Sequence, residues 1–169
     1  MLARFDRVLV RWNRAAVIAL LGAMACMVFA NVVLRYASGN SILWVEEASR
    51  YVMIWLTFLG CGLVLRYGGH IGIDSLQDRF PRHAARLRIL IAALMFVFFA
   101  IMVWLGTVYS LRTWTQTTPV MEIPVGAVYL AMPIGFALMM VHLAIMIRPY
   151  VRTRSFMHDA EFDADSAKL

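Results

Sequence analysis

The stretch "WVEEASRYVMIWLTFLGCGLVLRYGGHIGID", Trp44 to Asp74, sets ionisable side chains at both ends of an apolar run. Glu46 and Glu47 precede Arg50 by four and three residues, spacings at which side chains of one helix meet. Either carboxylate can therefore reach the guanidinium, and both meet the positive end of the dipole of a helix that starts there. Trp44, Tyr51 and Trp55 flank the trio, and Arg66, His70 and Asp74 stand at the far end of the run. Such groups serve as an ion path, as a contact with a partner protein, or as a self-neutralised helix start. One arginine does not satisfy two carboxylates, so a further cation or donor is expected from elsewhere. A partner protein would supply it naturally.

The elements that must position these groups are membrane helices. Hydrophobic residues make up 62% of the 169, and the mean hydropathy is +0.73. A soluble domain is about 45–50% apolar. Four stretches, approximately 15–34, 44–65, 89–111 and 125–147, approach the roughly 20 residues that cross a bilayer. The first is longer than the roughly 7–15 residues of a secretory h-region, and it reads as a permanent span. Of 16 Lys and Arg, 13 fall before span one, around the loop between spans two and three, or after span four. Basic residues of short loops stay cytoplasmic, so both termini are expected inside. The pI of 9.9 then reflects topology and anionic phospholipid, not nucleic acid. The expected fold is an all-α integral membrane protein with one four-helix domain over 1–150. An acidic cytoplasmic tail, 151–169, is expected to be disordered.

Smaller features refine this outline. In "MLARFDRVLVRWNR", Leu2, Phe5, Leu9 and Trp12 share one helical face and Arg4, Arg7, Arg11 and Arg14 the other. That pattern predicts an amphipathic helix lying in the interface. The segment between spans two and three is expected to hold a second amphipathic, cytoplasmic piece, with Asp74 as a cap. Gly22, Cys26 and Ala30 in span one, and Ala127, Ala131 and Gly135 in span four, repeat at four-residue spacing. Such small-residue stripes predict close helix packing, within the chain or against another. Pro133 predicts a kink in span four. Cys26 and Cys61 read as packing residues.

The charges also limit the function. No carboxylate stands at mid-membrane, and neither repeated halves nor broken helices suggest an independent carrier. His142, inside span four, is expected to hydrogen-bond a neighbouring helix rather than to serve as a proton relay or ligand. No catalytic, metal or cofactor-binding residue is evident. The chain reads as an accessory, not an enzyme.

The block "WVEEASRYVMIWLTFLGCGLVLRYGGHIGIDSL" resembles the small membrane subunit of TRAP transporters, the DctQ family, as do "NVVLRY" and "IPVGAVYLAMPIGFALM". The resemblance covers roughly residues 10–150. It implies a bacterial inner-membrane scaffold for a tripartite, ATP-independent importer of organic acids. Its partners would be a large membrane subunit, which holds the substrate and sodium sites, and a periplasmic substrate-binding protein. It places Trp44, Glu46, Glu47, Arg50, Tyr51 and Trp55 in a motif at the periplasmic end of span two. Arg66, His70 and Asp74 form the cytoplasmic motif, and Pro133 and Gly135 belong to the final-helix signature. Two alternatives stand beside it: the small four-span subunit of tripartite tricarboxylate transporters, and a membrane redox or haem protein using His142.

Overall fold

The computed structural model describes residues 2–67 and 84–153. His70, Asp74, the expected amphipathic piece between spans two and three, and most of the acidic tail lie outside the described residues. The fold is helical: α1 is Leu2–Ser38, α2 Leu43–Arg66, α3 Ala84–Arg112, α4 Val125–Tyr129 and α5 Ala131–Thr153. Four helical stretches, Arg4–Ser38, Leu43–Arg66, Ala84–Arg112 and Val125–Ile147, are long and apolar enough to cross a membrane.

The first helix departs from the sequence expectation. The N-terminal segment is helical, but it continues into span one without a corner. At 37 residues and 1.5 Å each, α1 is about 55 Å long, well beyond the roughly 30 Å hydrocarbon core. The stripe of its first turns that meets the other helices is a different one from the apolar face. Phe5 and Trp12 are exposed, whereas Val10 and Asn13 are buried and Asp6 forms an ion pair. These three recur at i, i+4 and i+7, one stripe of a helix. A buried polar contact has fixed the rotation of the segment where hydrophobicity alone favoured another.

The fourth span is interrupted once, at Leu130, between α4 and α5. Pro133 has no N–H to give the carbonyl of Tyr129, four residues earlier, and its ring crowds that carbonyl. Bonds from Leu130 N to Gly126 O (3.0 Å) and from Ile134 N to Leu130 O (3.2 Å) carry the helix across the break.

Extensive packing joins α1 to α2, α2 to α5, and α5 to α3. Chain order 1-2-3-5 thus becomes spatial order 1-2-5-3, with α5 inside. The core holds Leu65 of α2, Ala92 and Phe99 of α3, and Met139, Leu143 and Met146 of α5. Half-buried Phe136 packs against it, with ring centroids 5.8–5.9 Å from Phe58, Phe98 and Phe99. The two small-residue stripes have different fates. Ala131 and Gly135 are buried, and a Cβ on Gly135 would stand 2.7 Å from Phe58 Cβ and 2.8 Å from its carbonyl oxygen. Only glycine lets α2 and α5 approach so closely. A Cβ on Gly22 would meet nothing within 4 Å, and Cys26 and Ala30 are exposed with it. Among the described residues nothing packs on that stripe.

Candidate functional site

The two ends of α2 are where charge is buried. At the first end stands Glu47, only 2% exposed. Its Oε2 accepts the backbone N–H groups of Val120 and Met121, both at 2.9 Å, and its Oε1 accepts the Tyr51 hydroxyl. Val120 and Met121 lie in the tight loop between α3 and α4. That loop closes on itself through Thr118 N to Ile123 O (2.9 Å), Ile123 N to Thr118 Oγ1 (3.2 Å) and Val125 N to Gln116 O (2.8 Å). Glu122 turns its corner with φ at 54°. Two successive N–H groups aimed at one oxygen make a concavity for an anion, and a carboxylate of this protein fills it. Beside it, Asn31 Oδ1 accepts Ile42 N–H at 2.7 Å and fixes the turn from α1 into α2.

This geometry corrects the expected pairing. Arg50 forms no ion pair with Glu46 or Glu47 among the described residues, and both Arg50 and Glu46 are exposed. Three donors within the chain satisfy Glu47, so no outside cation is required. The backbone amides won because burying a long arginine stem beside the loop would cost rotamer freedom that fixed N–H groups do not. Tyr51 belongs to the anchor. Trp44 is exposed and Trp55 half-buried, and neither contributes a polar contact to Glu47.

At the other end, Arg66 is 4% exposed. Its Nη2 pairs with Asp6 of α1, and its Nε donates to His142 Nδ1 of α5 at 2.7 Å. A guanidinium has no lone pair to accept with, so Nδ1 carries the lone pair and the ring hydrogen stands on Nε2. Opposite Nε2, at 3.3 Å, is the Asn13 amide nitrogen, while the buried Asn13 Oδ1 has no partner among the described residues. Turned end for end, that amide offers Oδ1 to Nε2–H, which satisfies both atoms. Gly62 makes room for the ring: a Cβ there would stand 2.7 Å from His142 Cδ2. At the edge of the cluster, Arg14 donates to the Tyr67 hydroxyl at 2.8 Å.

The structure therefore brings Arg66 and His142 together, and adds Asp6, Asn13 and Gly62, which sequence reasoning did not single out. A signal was present, since Asp6 and Asn13 share one stripe of an otherwise apolar and basic helix. Both ring nitrogens of His142 face side chains of neighbouring helices, Arg66 of α2 and Asn13 of α1. Pro133 and Gly135 shape span four rather than contact either cluster.

Residues 24–153 match the family described as tripartite ATP-independent periplasmic transporters, DctQ component. A TRAP transporter small permease protein of Haemophilus influenzae is 30% identical over 148 residues, 85% of this chain and 88% of that one. The ectoine TRAP transporter small permease protein TeaB of Halomonas elongata is 30% identical over 126 residues, 72% of this chain and 65% of the relative. The isethionate TRAP transporter permease protein DctMQ of Oleidesulfovibrio alaskensis is 30% identical over 103 residues, 59% of this chain but 16% of a much longer one. The chain thus spans most of the first relative and less than two thirds of the other two. The family match takes in Glu47, Arg66 and His142; Asp6 and Asn13 precede its first residue. These matches decide against the tricarboxylate-transporter and haem alternatives. The chain belongs to the DctQ family and is a small permease subunit of a TRAP transporter.

Proposed function

We propose that this subunit is a scaffold that carries no substrate: it braces the large membrane subunit and helps the periplasmic substrate-binding protein to dock. The observation that supports this most is how its buried charges are used. Glu47 holds a loop, and Arg66 with Asp6 and His142 holds three helices. Between these ends lies the ring cluster of Phe58, Phe98, Phe99 and Phe136. Charged groups engaged in fixing helices are poorly suited to a site that must bind and release an ion. The α3–α4 loop, pinned and exposed at Val120, is a rigid surface for a soluble partner. The unpaired stripe of Gly22, Cys26 and Ala30 suits contact with the large subunit.

In this reading the complex lies in the bacterial inner membrane with both termini of this chain cytoplasmic. It imports an organic acid on the sodium gradient, with the sodium and substrate sites in the large subunit. Relatives named for ectoine and for isethionate share about the same identity with this chain. That favours selectivity residing in the other subunits. Proteoliposomes holding only this chain should show no sodium-driven uptake, and adding the large subunit and the binding protein should restore it. Robust uptake by this chain alone would defeat the scaffold reading. Cysteines placed at Ser41 or Thr117 should label from outside and one at His158 should not; the reverse pattern would invert the topology.

A further inference from the structure

We propose that the cleft between α1 and α2, at the end that carries Glu47, binds a phospholipid with an ethanolamine-type headgroup. The cleft is about 370 Å³, lined by Val28, Val32 and Arg35 of α1 and by Glu46, Ser49 and Arg50 of α2, among others. That volume falls within the roughly 300–1,000 Å³ of small-ligand sites. Val28, Val32 and Arg35 share one helical stripe at i, i+4 and i+7, valines towards the middle of the helix and arginine in its last turn. Glu46 lies in the first turn of α2 and Arg50 one turn further on. The lining therefore changes from apolar to charged at the helix ends, where headgroups meet hydrocarbon.

The charges are the decisive feature. Among the described residues Arg35, Arg50 and Glu46 form no ion pair with one another or with any other side chain. The Arg35 guanidinium lies over the Tyr36 ring, 5.6 Å from its centroid. Two guanidiniums and one carboxylate facing a common space complement a zwitterion: a phosphate and, a few bonds away, a primary ammonium. A guanidinium grips phosphate oxygens with two parallel N–H bonds. Glu46 would accept from the ammonium, and the valines would cover the glycerol and the first acyl carbons. A purely anionic headgroup would meet repulsion from Glu46. A choline headgroup has no N–H to give it. This inference does not depend on the transport role of the subunit.

The test is lipid retention by the purified complex of this chain with its large partner. After delipidation it is offered dioleoyl-phosphatidylethanolamine, -phosphatidylglycerol or -phosphatidylcholine separately, and bound lipid is counted by native mass spectrometry. The ethanolamine lipid should be retained at least about tenfold more strongly than the choline lipid, given the lost charge-assisted bonds. Arg35→Gln with Arg50→Gln should abolish the preference. Glu46→Gln should bring ethanolamine and glycerol lipids level. Val32→Trp, which fills the cleft without changing charge, should remove retention while helicity stays unchanged. Equal retention by the wild type and these variants would overturn the proposal. So would a preference for the glycerol lipid, or a side chain of the large subunit cross-linking to residue 49 from within the cleft.

Discussion

Glu47 and Arg66 stand near opposite ends of one helix, and both are buried, yet their charges are met in different ways. Glu47 is held by neutral donors alone: two backbone N–H groups of the α3–α4 loop and the Tyr51 hydroxyl. Arg66 is held by a counter-ion, Asp6, and by a neutral acceptor, His142. The first arrangement ties a loop to a helix. The second ties three helices together, because its members come from α1, α2 and α5.

The contrast has an energetic side. A carboxylate lodged in a concavity of amides is stabilised by dipoles that the loop's own fold has already oriented. Losing it frees the loop but strands no opposite charge. A buried ion pair is different. The attraction roughly offsets the desolvation of both ions, so the pair adds little net stability, but removing one partner leaves the other buried and uncompensated. The Arg66 end should therefore be the more fragile under single substitutions, and the Glu47 end the more local in its consequences.

The largest expected effect follows from that asymmetry. Arg66→Met should destabilise the chain towards the lower end of the roughly 3–5 kcal/mol for a broken buried pair, since Asp6 keeps 26% of its side chain exposed. Adding Asp6→Asn to Arg66→Met should recover part of the loss, because the stranded charge is gone. Thermal melting of the detergent-solubilised protein checks both, and equal melting of the single and double variants would break the argument. Gly62→Ala comes next. Its Cβ would stand 2.7 Å from His142 Cδ2, and overpacking of this kind costs roughly 1–3 kcal/mol. A melting temperature equal to wild type would show that the ring has room to move.

Composition was enough to expect four helices long and apolar enough to cross a membrane. An apolar run long enough to cross a bilayer has few other stable structures, and the fourth such helical stretch runs Val125–Ile147. Pro133 marked the interruption near Leu130 for the same local reason. The anchors were only half legible. Arg66 and Glu47 stood out as charges at the edges of an apolar run, but their partners did not. Glu47 is held largely by backbone amides, which carry no residue identity, so no pattern in the sequence points to Val120 and Met121. Asp6 and Asn13 are 60 and 129 residues from the groups they meet, and helical periodicity is silent about contacts between helices. The N-terminal arginines point to an interfacial helix, and nothing in that pattern shows that Asp6 and Asn13 meet α2 and α5.

At the other anchor, Glu47→Ala should release the α3–α4 loop without unfolding the helices. Hydrogen exchange of peptides covering residues 113–124 should speed up, most at Val120 and Met121, while the core of α5 stays protected. Glu47→Gln should fall between. Its single amide oxygen can still accept from the loop, and its NH₂ can turn to the Tyr51 hydroxyl oxygen, which also accepts. Exchange as slow in Glu47→Ala as in the wild type would mean that the loop holds itself.

The smallest effect should come from Arg50, and it is the sharpest test of the comparison. If the guanidinium neutralised Glu46 and Glu47, as helical spacing suggests, Arg50→Ala would strand two carboxylates and loosen the loop as Glu47→Ala does. In the structure Glu47 is satisfied without it, and Arg50 is exposed, with no ion pair among the described residues. An exposed side chain with no such contact contributes within about 0.5 kcal/mol. Arg50→Ala should therefore leave both the melting temperature and the exchange of Val120 and Met121 at wild-type values. Any change should appear only in what the α1–α2 cleft binds. If instead the loop amides exchange faster in Arg50→Ala, the guanidinium contributes to holding Glu47, and the neutral-donor account of that end is wrong.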